Sequence, residues 1–331
     1  MISIIICTYN RSESIHGTLR ALQKQILPDG TAAEILVVDN NSSDRTKEVV
    51  AQFSEKSVLP LRYIFEEQQG ISFARNRGIL EAQGDVLIFT DDDVVPSQEW
   101  IKNIWSAFNQ FNADIAGGPI RPLWESDPPR WLLNPEFQVH LALLDKGPEV
   151  FIREGGDTCD FLYGANMAFK RKVFEKVGTF RTDLGNKGSS LILREDSEIL
   201  GRALRAGMKA VYVPSAGVQH KVPSSKMGLR YLRRWRFAHG RSQVILKGEF
   251  NKIPRWLIRE CLGNAVQAIW NYVRWDGKKA LTHEKLFWFQ AGMLTELIQG
   301  RGRPAAVVAF PKKFNECLKQ DKIFEGEKNA E

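Results

Sequence analysis

The feature of this sequence that most constrains its fold is the alternation of short apolar runs with stretches of helical periodicity over residues 1–93. Apolar runs that predict buried strands occupy residues 2–8, 34–39, 61–65 and 85–90. Between the first two runs, Ile15, Leu19 and Leu22 recur at helical spacing, and Ser12 is a candidate cap for that helix. This order predicts an α/β fold with a Rossmann-like, doubly wound, mostly parallel sheet and helices on both faces.

Polar residues follow three of the predicted strands, at 8–11 (Thr-Tyr-Asn-Arg), 39–41 (Asp-Asn-Asn) and 91–93 (Asp-Asp-Asp). Ligands of open α/β sheets bind outside the carboxyl ends of the strands, so these residues are candidates for a binding site. Neither a GxGxxG motif after the first strand nor a GxxxxGK[ST] motif occurs in the sequence. A nucleotide bound here is therefore held without a dinucleotide fingerprint or a P-loop.

Three consecutive carboxylates at a strand end repel one another, and a divalent cation offsets that repulsion. Their hard oxygen atoms suit Mg²⁺ or Mn²⁺, which also bridges to substrate phosphates. Along an extended chain Asp91 and Asp93 project to the same side and Asp92 to the other. A solvated acidic turn is the alternative. His220 follows a further predicted strand at 210–213, either as a metal ligand or as a structural histidine.

Two more polar residues are candidates for chemistry. Asp196 opens a predicted helix whose inward positions include Leu200 and Leu204. It either caps that helix or acts as a general base toward an attacking hydroxyl group. Arg75 lies on the helix between the third and fourth strands, where it either binds a phosphate or a base, or remains a surface arginine.

The net charge of +7 conceals a division within the chain. Residues 1–220 carry 24 Lys and Arg against 29 Asp and Glu, whereas residues 221–331 carry 22 against 10. A basic segment of this kind favours an anionic partner, either a membrane surface or nucleic acid, the alternative being a solvated basic face. The four cysteines are scattered without a CxxC motif, which argues against a zinc site and favours a reducing compartment.

No apolar run reaches the roughly 18 residues of a membrane-spanning helix, so we expect a cytoplasmic location. The predicted helix that begins near Met227 places Tyr231, Leu232 and Trp235 on one side of a helical wheel. Its other side carries four arginines, Arg230, Arg233, Arg234 and Arg236. This pattern favours an interfacial position on anionic lipid, unless the helix packs against the α/β domain.

The motifs occur in a specific order: 8–11, 37–46, a GxxxARNxG run at 70–78, 90–93, 164–167, 195–196 and His220. In this order they strongly resemble the family 2 glycosyltransferases of the GT-A fold, over about residues 1–220. The resemblance implies a GT-A catalytic domain at 1–222 and a basic, mostly helical region at 223–331. Within the catalytic domain, about 1–120 form the nucleotide-sugar half and about 121–222 the acceptor half.

The resemblance also implies positions for the donor. Thr8, Asn10 and Arg11 lie where the family contacts the nucleotide. Asp39 lies where a family carboxylate pairs with the base, usually uracil, and Arg75 lies at another nucleotide contact. The implied donor is therefore a nucleotide-sugar, most simply a UDP-sugar.

The remaining family positions concern the metal and the acceptor. Asp91 and Asp93 are the outer carboxylates of the family's DxD motif, of which the first would hold the ribose or the Mn²⁺ or Mg²⁺ ion and the last would hold the ion. Asp91 and Asp92 therefore also belong with the donor contacts. His220 matches a histidine that often completes the metal shell, and Asp196 matches the family's catalytic base. The positions implied to lie beside the acceptor are Gly164, Ala165, Asn166 and Glu195.

The resemblance implies an inverting, single-addition transferase, because the QxxRW motif of processive synthases is absent. Its acceptor would be a hydroxyl of a glycan or a polyprenyl-linked sugar in cell-surface or exopolysaccharide synthesis. We expect the enzyme on the inner face of the plasma membrane, with an anionic membrane surface and not nucleic acid as its partner. The alternatives are a nucleotidyltransferase, or a non-catalytic module that binds a nucleotide or lipid.

Overall fold

The computed structural model describes residues 1–156, 161–188, 190–248 and 252–300. Two of the four cysteines, Cys159 and Cys317, lie outside these residues. The chain forms two compact units. Among the described residues, one unit comprises those within 1–128 and 140–228, and the other comprises those within 129–139 and 229–300. We call them the sheet unit and the helical unit.

The sheet unit contains an eight-stranded sheet in the order β3-β2-β1-β4-β9-β6-β10-β8. Its strands are β1 Ile2–Thr8, β2 Ala33–Asp39, β3 Leu61–Phe65, β4 Val86–Asp91, β6 Ile115–Gly117, β8 Phe151–Glu154, β9 Asn166–Lys170 and β10 Lys209–Tyr212. All seven residues of β1 and of β2 are buried, because both faces of the sheet are covered. The prediction of a mostly parallel sheet is confirmed.

The parallel order is interrupted where β9 lies antiparallel between β4 and β6. The edge strand β8 is likewise antiparallel to β10. The sequence pattern did not predict either orientation, because an apolar run carries no information about the direction of its neighbour.

Helices of the sheet unit connect these strands. They are α1 Ile15–Leu22, α2 Thr46–Ser54, α3 Ile71–Glu81, α4 Trp100–Gln110, α5 Arg171–Val177 and α6 Glu195–Arg205. The predicted inward residues of α1 are buried, but the helix begins later than Ser12 and its N-cap residue, Ser14, makes no side-chain capping bond. Short 3-10 turns lie at Arg130–Leu133, Pro135–Phe137, Val139–Leu141 and Ser224–Lys226.

A second, three-stranded sheet in the order β5-β11-β7 consists of β5 Val94–Pro96, β11 Val218–Val222 and β7 Ile120–Trp124. His220 therefore lies within a strand rather than beyond one, and it pairs with Val94 immediately after the carboxylate run. This pairing brings residues separated by more than 120 positions in sequence to the same place.

The helical unit contains α7 Leu229–Lys247, α8 Arg255–Val273 and α9 Gly277–Gln299. Helices α7 and α9 touch through their backbones, because a Cβ atom on Gly240 would strike the carbonyl of Phe289, and one on Gly292 would strike that of Phe237. The unit has a small apolar core, which consists of Val244, Leu257, Phe289, Met293 and Leu297.

The interfacial prediction for the arginine-rich helix α7 is not supported by its environment. Leu232 on its predicted apolar side is buried rather than presented to solvent. Arg233 forms an ion pair with Glu284, and Arg241 bonds the Glu296 carboxylate at 2.9 Å, both on α9. Residues on both sides of α7 are therefore packed against, or paired with, other parts of the protein. Among the described helices, none combines the length and apolar character needed to cross a membrane.

Candidate active site

The loop after β1 meets the loop after β2 through direct hydrogen bonds. Asn10 adopts a positive φ of 52°, which an asparagine tolerates better than most residues. Its backbone N–H donates to the Ser42 hydroxyl at 2.8 Å, and its side-chain oxygen accepts from the Ser43 N–H at 2.8 Å. Arg11 follows with an exposed side chain. The two predicted nucleotide loops are thus adjacent.

Asp39 ends β2 as a buried carboxylate with two fixed partners. One of its oxygens accepts from the Ser42 N–H at 2.9 Å, and the other accepts from the Tyr63 hydroxyl at 2.7 Å. Burial, together with the hydrogen bond to this carboxylate, raises the pKa of Tyr63. Tyr63 belongs to the site, but sequence reasoning missed it because nothing in the β3 pattern distinguishes it from a packing aromatic residue.

The carboxylates at the end of β4 have three different environments. Asp92 is buried and accepts from the Thr8 hydroxyl at 2.6 Å. Burial and, secondarily, the charge of Asp93 raise the pKa of Asp92 to about 7. Burial would raise the pKa of Asp93 too, but the hydrogen bond and charge of His220 outweigh it and lower that pKa to about 2. Burial raises the pKa of Asp91.

His220 is held from both sides of its ring. Its Nε2 lies 3.2 Å from Asp93, and its Nδ1 donates to the Leu141 carbonyl at 3.0 Å. The Lys226 ammonium lies 3.9 Å from the other Asp93 oxygen. The Nδ1 bond to a backbone carbonyl orients the ring so that Nε2 points at the carboxylate, which is the arrangement that proteins use behind metal-bound histidines.

Among the described residues, no group of three or more His, Cys, Asp or Glu side chains is already arranged as a metal cage. The chemistry of the donors nevertheless suits a hard divalent cation. Asp91 and Asp93 offer carboxylate oxygens, and His220 offers an oriented ring nitrogen. Magnesium ions usually use one or two carboxylates together with substrate phosphates, so an incomplete protein cage fits that use.

Arg75 is not a surface arginine. Its side chain is buried, with one guanidinium nitrogen 2.8 Å from Glu195 and another 3.8 Å from Asp91. The guanidinium also lies over the Phe180 ring, 5.4 Å from its centroid. Burial, followed by the charge of Asp196, raises the pKa of Glu195 to about 7, while Arg75 opposes the rise. Arg75 thereby joins the carboxylates after β4 to those that begin α6.

Asp196 lies in the first turn of α6 but does not cap it. The N-cap residue is Arg194, which has a left-handed backbone and makes no side-chain capping bond. One oxygen of Asp196 accepts from the Gly164 N–H at 3.0 Å, and the other accepts from the Ser197 N–H at 2.7 Å. The carboxylate is only partly buried, so a bound hydroxyl group can approach it.

The predicted acceptor positions 164–166 separate into two kinds. Gly164 lies against Arg75, leaving no room for a Cβ atom, and the Ala165 carbonyl accepts from Thr90 at 3.1 Å. Asn166 differs from the prediction, because its side chain is fully buried. Its amide bonds Trp100 at 2.8 Å, Pro119 at 3.2 Å and Ala216 at 2.8 Å. These bonds join the start of α4 to the segments around Pro119 and Ala216, and they leave no polar atom of the Asn166 side chain for an acceptor.

A cavity of about 620 Å³ opens beside Asp93 within the sheet unit. Its lining includes Arg11, Trp124 and Lys221. Trp124 is at the end of β7 and partly exposed, so its ring is available to a ligand in this cavity.

A family model described as "Glycosyl transferase family 2" matches residues 3–178. The succinoglycan biosynthesis protein ExoM of Rhizobium meliloti (strain 1021) is 28% identical, over 75% of this chain and 75% of its own. The glucosyl-dolichyl phosphate glucuronosyltransferase of Haloferax volcanii is 27% identical, over 67% of this chain and 69% of its own.

Among solved structures, the mannosyltransferase PcManGT of Pyrobaculum calidifontis, in complex with GDP-Man and Mn²⁺, has a similar fold. The TM-score is 0.55, and the match covers 98% of this chain and 79% of the other. The sequence identity is 19%, so this comparison bears on the fold alone.

Proposed function

The chain belongs to glycosyl transferase family 2, and on this basis we propose that it transfers a sugar from a UDP-sugar to a hydroxyl of a glycan or lipid-linked acceptor, with inversion at the anomeric carbon. The family and the relatives make it a glycosyltransferase of glycan biosynthesis. They do not favour a nucleotidyltransferase or a non-catalytic binding module.

One observation carries the proposed chemistry. Arg75 contacts both Asp91, at the end of β4, and Glu195, which precedes Asp196 in α6. One buried guanidinium therefore links the carboxylates suited to the metal of the donor diphosphate with the residue next to Asp196, the carboxylate suited to the acceptor hydroxyl. A displacement reaction needs these two functions on either side of a single reacting carbon.

The donor's nucleotide part is assigned to the loops after β1 and β2. Asp39 would accept a hydrogen bond from the base, with Tyr63 and Ser42 holding the carboxylate in place. Asn10 and Arg11 would lie beside the nucleotide. The direction of Asp39 is set by its two existing hydrogen bonds, which reduces the cost of ordering it on binding.

Asp91, Asp93 and His220 would hold Mn²⁺ or Mg²⁺, which when bound supplies positive charge to the donor diphosphate and makes it a better leaving group. Asp92 would not be a metal ligand, because its carboxylate accepts a hydrogen bond from the Thr8 hydroxyl. The Leu141 carbonyl holds the His220 ring in the orientation that leaves Nε2 toward the carboxylates.

Asp196 would accept the proton of the acceptor hydroxyl as the new glycosidic bond forms. The N–H groups of Gly164 and Ser197 orient its carboxylate. The displaced UDP leaves with the bonding electron pair of the anomeric carbon, and no covalent enzyme intermediate is required. The developing charge on the sugar resembles the oxocarbenium character of glycoside hydrolysis.

The acceptor class includes lipid-linked sugars because one relative is named as acting on glucosyl-dolichyl phosphate. A polyprenyl-linked acceptor would place the enzyme at the inner face of the plasma membrane as a peripheral protein.

The proposal is tested by incubating the purified protein with a panel of UDP-, GDP- and TDP-sugars and Mn²⁺, and by measuring the released nucleotide. We expect hydrolysis or transfer with one UDP-sugar, and its loss in Asp196→Asn. Release from a GDP-sugar alone would reject the UDP assignment, and no release from any donor would reject the proposed reaction.

A further inference from the structure

Helix α8 has an apolar side that it does not bury. Its inner side packs in the helical unit through Leu257, Cys261 and Ala268. The opposite side, which we call the α8 outer face, is between 43% and 67% exposed, and it consists of Ile258, Leu262, Val266, Ile269, Trp270 and Val273. Beyond its end Trp275 is 95% exposed.

The α8 outer face is continuous. At 100° per residue its six members fall within an arc of about 120°, and along the axis they extend for roughly 22 Å. Amphipathic helices of globular proteins turn such an arc inward, and here the helix turns it outward. Scattered exposed apolar residues need no explanation, but a continuous stripe marks an interaction surface.

Basic residues lie at both ends of this face. Arg255 and Arg259 are near its beginning, while Arg274 and Lys278 are near its end. Within the described part of the chain, Arg255, Arg259 and Lys278 take part in no ion pair. Arg274 lies over the Trp270 ring at 5.6 Å.

The two acidic residues near the outer face, Glu260 and Asp276, bond other residues of the helical unit. Glu260 accepts from Gln290 of α9 at 3.2 Å, on the side of α8 away from the outer face. Asp276 caps α9 and pairs with Lys279 at 2.9 Å. The outer face thus combines aliphatic residues and Trp270 with a second tryptophan and cations at its ends, and none of its six residues is a carboxylate.

We propose that the α8 outer face is the surface by which this enzyme lies on an anionic membrane. The aliphatic residues would enter the boundary of the acyl chains, Trp270 and Trp275 would lie at the level of the headgroups, and the terminal cations would meet lipid phosphates. A second copy is a poorer occupant. With cations at both ends, pairing this face with itself places like charges together in either orientation.

The membrane-contacting helix would therefore be α8, and not α7 as the sequence pattern predicted. It rests on the proposed function to the extent that a polyprenyl-linked acceptor requires the enzyme to work at a membrane. The surface itself can be tested separately from the reaction.

The test is vesicle flotation of the full-length protein, with phosphatidylcholine vesicles and with vesicles that also contain phosphatidylglycerol. The variant carries Leu262→Gln, Val266→Gln and Ile269→Gln, all at exposed positions. The matched control carries Val58→Gln and Leu80→Gln, which are 80% and 78% exposed in the sheet unit. Thermal melting establishes that both variants fold.

We expect the wild type and the control to float with anionic vesicles, and binding by the triple variant to fall at least tenfold. Replacement of Arg255, Arg259 or Lys278 by Gln should weaken binding to anionic vesicles by about fivefold each and reduce its salt dependence. Wild-type protein that does not float with anionic vesicles at low salt overturns the inference, as does a triple variant that floats like the wild type. A dimer that the triple variant dissociates, without vesicle binding, would identify a second copy as the occupant.

Donor hydrolysis in the absence of vesicles separates this inference from the proposed function. Hydrolysis by a protein that does not bind vesicles supports the proposed reaction and rejects only the membrane surface. Vesicle binding without hydrolysis of any donor supports the membrane surface and rejects the proposed reaction.

Discussion

The guanidinium of Arg75 and the carboxylate of Glu195 form a buried ion pair at 2.8 Å, across 120 residues of sequence. The pair ties α3 to the first turn of α6, next to Asp196. Because both side chains are largely inaccessible to water, loss of Arg75 leaves the Glu195 carboxylate buried without its counter-charge.

Removal of one member of this pair should therefore destabilise the protein strongly. We expect Arg75→Met to lower the free energy of unfolding by about 3 kcal/mol, measured in urea. Adding Glu195→Leu should restore part of that loss, because it removes the orphaned carboxylate. A double variant that is less stable than Arg75→Met would contradict this account of the pair.

A Cβ atom on Gly164 would displace the guanidinium of Arg75 from its place beside Glu195 and Asp91. Gly164→Ala should reduce sugar transfer at least tenfold while leaving the bulk of the sheet folded. The control is Gly263→Ala on α8, where a Cβ atom meets nothing within 4 Å. Equal turnover by the two variants would show that Arg75 tolerates displacement.

Asp196→Asn should leave donor affinity nearly unchanged and lower kcat by about 10²–10⁴-fold, since a general base acts in the chemical step. Asparagine retains an oxygen that can accept from the Gly164 N–H, so the melting temperature should change little. Calorimetry with UDP and turnover on the same preparation measure the two effects. A loss of donor affinity as large as the loss of rate would argue for a binding role instead.

Chelation of the divalent cation should abolish tight UDP binding. Asp93→Asn should do the same even with excess Mn²⁺, because it removes a proposed ligand and the partner of His220. Calorimetric titration with UDP, with and without EDTA, provides the measurement. Identical binding isotherms under the two conditions would rule out a metal-dependent donor site.

Tyr63→Phe removes the hydroxyl that holds Asp39. A hydrogen bond to a carboxylate contributes about 1.5 kcal/mol or more, so UDP affinity should fall by roughly tenfold if this bond orients Asp39 toward the base. Tyr272→Phe is the matched control, since Tyr272 also donates to a carboxylate, that of Glu284, but in the helical unit. The control should keep full UDP affinity.

Much of the site could be located from the sequence because its residues follow apolar strands directly. Local periodicity predicts β1 to β4, and the topology of parallel sheets brings their carboxyl ends to one edge. Thr8 and Asp39 end β1 and β2, and Asp92 directly follows β4, while the roles of these residues stay predictions. Partners such as Tyr63 and Phe180 could not be predicted, because their contribution depends on side-chain contacts between elements distant in sequence.

The sequence by itself determined which residues are apolar at strand or helix spacing, and hence the order of the elements and the position of the polar strand ends. Only the tertiary structure decided that β9 inserts antiparallel, that the Asn166 side chain bonds Trp100, Pro119 and Ala216, and that α8 rather than α7 keeps its apolar side outward. The physical reason is that periodicity follows from the local geometry of the backbone, which each segment carries with it. The surface against which an apolar side packs is chosen by long-range competition among all the segments of the chain, and no single segment contains that information.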